Sequence, residues 1–256
     1  KNFFSSRSIN NNNIMFLKAQ LHFHNGEDPL DSYINYSPYE AIDFAKQKWF
    51  RILSFTNHNY FCYNKKVIKY AFERWIILIN GIELSIRNKH VLIYNPTPEV
   101  LNIKTFKDLE KYKLQNRRIF VIAPHPYYKA YFCLGKKMEK YHYLFDAIEY
   151  SIMHMQKLFT KANDMAQNFA RRYNKAFIWT GDVHDLNFFD DTYSLINVDF
   201  DTENLDFSKF DFYIKNIFKN IRLNNFKIVS KPLSLKNIVN FNRGHIKWFF
   251  IKNLFR

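Results

Sequence analysis

Leu21-His22-Phe23-His24 follows closely on the apolar run Ile14-Met15-Phe16-Leu17. The run reads as a β-strand, with the histidines at its C-terminal end. Residues two apart on a strand share a face, so His22 and His24 converge while Phe23 turns away into packing. Two adjacent imidazoles form a metal-ligand pair. Taken alone, this tetrapeptide reads equally as two polar residues at a strand end. What gives it weight is a second pattern near the other end of the chain, Asp182-Val183-His184.

Between these two patterns, strand-like and helix-like segments alternate. Ser37-Pro38-Tyr39-Glu40 has the form of a capping box with proline at the first helical position. The helix it opens carries Ala41, Ile42, Phe44, Ala45 and Trp49 at helical spacing. Ile52-Leu53-Ser54-Phe55-Thr56 is a second strand, leading to His58. A helix from about Lys65 to Trp75 precedes a third strand, Ile76 to Leu84, which carries Glu83. His90-Val91-Leu92-Ile93-Tyr94 returns to pair with it after a tight turn. A helix over Thr105 to Lys113 leads to the buried strand Ile119 to Ala123, which is stopped by Pro124-His125-Pro126. Phe145 to Tyr150, an amphipathic helix over Lys161 to Tyr173, and Phe177 to Thr180 follow. Repeated βα units with continuous apolar strands predict a parallel sheet covered by helices. In a barrel of that kind the active site forms at the C-terminal ends of the strands.

Composition sets the outer limits. At 256 residues the chain fits a single large α/β domain, and 47% hydrophobic residues, 19% of the chain being aromatic, suffice for its core. The formal net charge of +15 suits a polyanionic partner, although the abundance of Lys, Asn and Phe over Gly is also what an AT-rich genome produces. Cys62 and Cys133 show no disulfide spacing, which predicts a reducing, cytoplasmic setting. No apolar run approaches the roughly 18 residues of a membrane span. Residues 1–13 form a polar, Asn-rich stretch and are expected to be a flexible arm; residues 14–256 are expected to form one barrel domain with a C-terminal helical extension.

His22, His24, His58, Glu83, His90, His125, Asp182 and His184 all fall at strand ends or on the return just after one, and Asp28 lies in the loop after His24. Six of the nine histidines belong to this set; His142, His154 and His245 read as surface or packing residues. Nitrogen donors mixed with carboxylates suit zinc, manganese or iron. Nine ligands exceed the needs of one ion, so the set implies an open cluster with Glu83 as a bridge, and not a closed structural site. Glu149, ending its own strand, is a candidate supporting or substrate residue. Lys129, Arg87 and Arg243 are candidate phosphate clamps.

The ordered set resembles the PHP family (polymerase and histidinol phosphatase domains) over roughly residues 15 to 240. The resemblance is carried by Leu21-His22-Phe23-His24, Glu27-Asp28-Pro29-Leu30-Asp31, Thr56-Asn57-His58-Asn59, Gly81-Ile82-Glu83, His90-Val91-Leu92, Ala123-Pro124-His125-Pro126 and Gly181-Asp182-Val183-His184. It implies a distorted, TIM-like (β/α)7 barrel with a trinuclear site of divalent transition metals and phosphoesterase activity. It also implies His22, His24, Glu83 and Asp182 around a first ion, Glu83, His90 and His125 around a second, and Asp28, His58 and His184 around a third. Gln20 and Asn57 depart from the acidic residues common in the family at those places.

The expected function is therefore hydrolysis of a small phosphorylated metabolite or nucleotide by a metal-activated hydroxide, with Glu83, Asp182 and His184 at the reacting centre. The alternatives are a nuclease or oligonucleotide phosphodiesterase using the same ions, and a non-enzymatic module that keeps them for folding. Tyr127, Tyr128, Lys129 and Tyr131, with the basic, aromatic stretch Arg243 to Lys252, are the features that a nuclease would use. No membrane partner is expected, and the sequence leaves the oligomeric state open.

Overall fold

A computed structural model describes residues 15–61, 64–150 and 161–231. The proposed N-terminal arm, Cys62, His154 and the stretch from Arg243 to Lys252 lie outside the described residues. The chain opens with β1 (Met15–Phe23), α1 (Pro38–Gln47), β2 (Phe50–Phe55), α2 (Lys65–Phe72), β3 (Ile77–Ile86) and β4 (Lys89–Tyr94). It continues with α3 (Phe106–Gln115), β5 (Phe120–Ala123), α4 (Lys137–Tyr141), β6 (Ala147–Tyr150), α5 (Lys161–Arg172) and β7 (Ala176–Trp179). β8 (Thr192–Val198), α6 (Phe210–Arg222) and β9 (Phe226–Ser230) complete it.

Local chemistry explains the helix boundaries. Ser37 caps α1 in a full capping box with Glu40, Pro38 stands in the first turn, and Thr105 with Asp108 does the same for α3. Such caps contribute about 1 kcal/mol each. The α2 helix ends at Phe72, short of the expected Trp75, because Trp75 adopts a left-handed backbone that turns the chain toward β3.

Among the described residues nine strands form one sheet, in the order β7-β6-β5-β4-β3-β2-β1-β8-β9. Parallel pairing joins β1, β2 and β3, and again β5, β6 and β7. β4 runs antiparallel between β3 and β5, and β8 antiparallel to β1 and β9. The sheet curls until its ends nearly meet: Phe23 at the end of β1 bridges Val183, just beyond β7, and Ser194 of β8 donates to the Trp179 carbonyl at 2.8 Å. The result is a single α/β domain built on a distorted TIM-like barrel. β8 and β9, which the sequence reading did not anticipate, flank β1 on its other side.

Two kinds of apolar packing hold this shape. Leu17, Ala19, Leu21, Ile52, Ile77, Ile79, Leu92, Tyr94, Ile122, Ala147 and Ile178 fill the barrel interior. Tyr213, Ile214, Ile217, Phe218 and Ile221 of α6 close its N-terminal end against them. Outside, β1 and β2 bury Phe23, Phe50, Leu53 and Phe55 under α1 and α2, while the outer faces of β3 to β6 pack beneath α3 and α5. The apolar floor leaves the opposite mouth for polar side chains. No helix among the described residues is long and apolar enough to cross a membrane.

Candidate metal centre

Alternation along each strand decides what faces the barrel axis. Ile77 and Ile79 point inward, so Gly81 and Glu83 do too; by the same parity Ala147 leads to Glu149, and Ile178 to Thr180 and Asp182. Leu92 and Tyr94 put His90 on the inner face of β4, and Ile52 does the same for His58 beyond β2. Gly81 is required below Glu83, because a Cβ there would lie 2.3 Å from Ser54 Oγ and 2.9 Å from the Phe55 carbonyl.

Two ligand groups break this parity. Leu17, Ala19 and Leu21 face inward, so simple alternation would send His22 and His24 out. The β1–β2 register slips between Gln20 and Phe23, where β1 carries one extra residue. This bulge turns His22 and His24 inward and Phe23 out to the aromatic packing of Tyr36, Phe55 and Phe189. His125 is out of phase with Phe120 and Ile122. It enters the cluster through a left-handed backbone, φ 30°, and Asp182 also has positive φ, 46°.

Around Glu83 the donors crowd together. Its Oε2 lies 3.2 Å from His22 Nε2, 3.5 Å from His24 Nε2 and 3.0 Å from His58 Nε2. Its Oε1 lies 2.7 Å from His90 Nδ1 and 3.2 Å from His125 Nε2. Asp182 Oδ1 stands 3.3 Å from His22 Nε2, 3.6 Å from His24 Nε2 and 3.6 Å from His184 Nδ1. The structure thus brings all nine sequence-selected residues to one mouth, together with Asp31, whose Oδ2 lies 3.2 Å from His58 Nδ1 and 3.1 Å from His184 Nε2.

Ligand atoms within 4.8 Å of one another form three groups: His22, His24, Glu83 and Asp182; His58, Glu83 and His90; and His24, Asp31, His58 and His184. Asp31 thus stands in the third group where the family resemblance implies Asp28. Asp28 has other work. Its Oδ1 accepts from the backbone N–H groups of Leu30 and Asp31, and its Oδ2 from that of His58 and from the rings of His24 and His58. Nothing in the spacing of the loop between β1 and α1 marks Asp31 over Asp28.

Several of these atoms suit a cation better than a hydrogen bond. His24 Nε2, His90 Nδ1 and Asp31 Oδ2 are buried and make no hydrogen bond, even though carboxylate or imidazole atoms crowd them. Buried polar atoms are seldom left so. A mixed imidazole and carboxylate set of this size fits a polynuclear metal site.

Charge is balanced accordingly. Burial would lower the His22 pKa, but Asp182, Glu83 and Glu149 outweigh it and raise it to about 10. His58, His125 and His184 are likewise raised against burial, chiefly by Glu83 for His58, by Cys133 and Glu83 for His125, and by Asp31 for His184. Burial and the neighbouring His184 and His58 push His24 down. Despite burial, Glu83 is held well below the carboxylate range by His90, His22 and His58, and Asp182 by His22, His24 and His184.

The two departures from the family pattern act in the scaffold. Gln20 donates from Nε2 to the Phe189 and Thr192 carbonyls and accepts from Gly181 N–H, so it ties β1 to the chain before and after Asp182. An acid could not make the donations. Asn57 exchanges amide hydrogen bonds with Asn25 across the loop that holds Asp28. His142 stacks on Tyr173 with ring centres 4.2 Å apart, away from the cluster. Arg87 and Lys129 are exposed near the mouth: Arg87 sits at the tip of the β3–β4 hairpin, and Lys129 in the loop after His125, whose Phe132 stacks on His90.

No protein-family model and no curated protein matches the chain. Solved structures do. PsfC from Pseudomonas syringae superposes with a TM-score of 0.52 at 13% identity, covering 82% of this chain and 99% of its own. A candidate metal-dependent phosphoesterase from Bifidobacterium adolescentis gives 0.51 at 9% identity, over 65% and 87%. An amidohydrolase from Chromobacterium violaceum gives 0.48 at 14% identity over the same shares. The chain therefore has the fold of the Bifidobacterium protein, the distorted barrel that the resemblance to the PHP family implies, and carries at its mouth buried histidine and carboxylate groups suited to a polynuclear metal site.

Proposed function

We propose that this chain is a metal-dependent phosphoesterase acting on a small phosphorylated metabolite or nucleotide. The observation that carries the reading is the division of Glu83: one carboxylate oxygen faces His22, His24 and His58, the other His90 and His125. A carboxylate shared in this way would serve two ions. His22, His24 and Asp182 would complete the first site, His90 and His125 the second, and Asp31, His58 and His184 a third. Bound divalent ions lower the pKa of water and neutralise phosphoryl oxygens.

The chain's own groups do the rest. Phe132, stacked on His90, lines one side of the mouth. Asp182 and His184, 15% and 10% exposed, face the opening. Asp182 is assigned to orient the attacking water, and His184 to pass its proton to the leaving oxygen. Arg87 and Lys129 would be the groups to meet phosphate oxygens.

A nuclease is the second reading, favoured by Tyr131, which is 79% exposed beside Lys129. The test is a panel of phosphomonoesters, nucleotides, short RNA and simple amides, assayed with zinc, manganese or iron and after chelation. Chelator-sensitive cleavage of a monoester with a shallow salt dependence supports the proposal. Steep loss of activity with salt and faster turnover of longer RNA would promote the nuclease, and amide cleavage alone would overturn both.

A further inference from the structure

Glu149 belongs to none of the three donor groups, yet its side chain is fully buried among them. It stands on β6, between β5 and β7, and collects a donor from each of three other parts of the barrel. His22 Nδ1 lies 2.7 Å from its Oε1, and the Thr180 hydroxyl donates to the same oxygen. Its Oε2 accepts the backbone N–H of His125 at 2.5 Å.

We infer that Glu149 is the positioning residue of the metal centre, fixing His22 in the Nδ1–H tautomer and holding the left-handed backbone that brings His125 to Glu83. The inference rests on the metal-hydrolase reading of the cluster. A neutral imidazole offers one lone pair, and the partner on its other nitrogen decides which. With Nδ1–H given to Glu149, His22 turns the Nε2 lone pair toward Glu83 and Asp182, at 3.2 and 3.3 Å. A non-glycine residue at φ 30° is strained and persists only where its surroundings hold it. The Glu149 oxygen on the His125 N–H is such a hold. All three partners donate, so only a group that accepts at both ends fits. Glutamine does not: with its oxygen toward His22 and Thr180, its NH2 meets the His125 N–H, and turned over it meets two other donors.

The test is competition between a chelator and zinc or cobalt on the purified full chain, comparing the wild type with Glu149→Gln and Thr180→Val, alongside melting of the metal-free forms. Glu149→Gln is expected to lower affinity by about 10–100-fold for at least one ion, the usual effect of losing such a support, and to change the visible spectrum of the cobalt form. Thr180→Val keeps the carboxylate but frees one side of it, and is expected to cost a smaller factor. If Glu149→Gln does not fold, Thr180→Val decides. Wild-type affinity and spectrum in every folded variant, even with a lowered melting temperature, would overturn the inference alone. A wild type that binds no ion would overturn the cluster and this inference with it.

Discussion

His58 and Glu83 are joined twice. Their backbones bridge β2 and β3 at the mouth, with Asn59 N–H donating to the Glu83 carbonyl at 2.9 Å, and Glu83 Oε2 lies 3.0 Å from His58 Nε2. The backbone bridge fixes the Glu83 main chain beside that of His58, so the carboxylate starts from a position built into the sheet.

Replacing Glu83 by Gln removes the shared charge and little volume. Bound metal is expected to fall from two or three ions to one or none, and turnover of a good phosphate ester by roughly 10²–10³-fold, the scale of a preorganised electrostatic group. Elemental analysis and kcat measured together check this. Unchanged metal content with intact turnover would refute the bridge.

The metal-free protein should show a distinctive pH profile. His22 rises from 6.5 to about 10 on folding, because Asp182, Glu83 and Glu149 outweigh burial. Stability from a raised pKa is complete below 6.5 and is lost as pH climbs toward 10. Glu83 and Asp182 are depressed and act in the opposite sense: they stabilise above about pH 4 and lose that effect as pH falls. The Tm of the metal-free chain is therefore expected to be highest near pH 5–6.5 and to decline toward pH 9.5, by about 2–4 °C per kcal/mol lost. A flat Tm over the alkaline range would contradict the charge balance described.

Metal loading should reverse that trend. An ion must displace the proton that His22 carries at neutral pH, and the raised pKa values of His58 and His184 act in the same sense. Binding is therefore expected to release protons at pH 7, and affinity to rise with pH. Calorimetric titration with zinc in two buffers of different ionisation enthalpy measures the release. Identical enthalpies in both buffers would show that the imidazoles are already neutral.

Asp28 and Asp31 should separate by phenotype. Asp28→Asn sets an NH2 among donors from three backbone amides and two imidazoles, and is expected to cost about 1–3 kcal/mol of stability. Asp31→Asn is expected to melt within a few degrees of the wild type but to lose one ion. Melting and metal analysis of both variants check the assignment, and the opposite pattern would make Asp28 the ligand.

Gly81→Ala tests the approach beneath Glu83. The new methyl meets Ser54 Oγ at 2.3 Å and backbone at 2.9 Å, so β2 and β3 must separate. About 1–3 kcal/mol of destabilisation is expected, with metal loss out of proportion to the fall in Tm. Wild-type melting would mean that the strands have slack there.

Parity explains how much of this was legible in the sequence. Glu83 could be placed because an apolar strand carries it, Asp182 and His184 because one ends just before them, and the Ser37 capping box marked its helix outright. The alternation that put His22 and His24 on one face was right about their mutual arrangement. It said nothing of the bulge that aims them inward, since a bulge is a property of pairing with β2 and leaves no mark in β1 alone. His125 between two prolines signalled a strand stop, but not the left-handed turn that brings its ring to Glu83. β8 and β9 escaped because Thr192 to Val198 and Phe226 to Ser230 carry no chemistry and pair antiparallel, outside the βα rhythm.

The extra residue in β1 also has a combinatorial consequence. Below it, odd-numbered positions face the axis; above it, even-numbered ones do. Pairing the same residues without the bulge would expel the imidazole pair to the packing side, with no change in composition. Deleting Leu21 would instead let the alternation run unbroken from Ala19 to His22 and His24 on the axial face. The stretch is thus fixed by the parity of its count as well as by its letters.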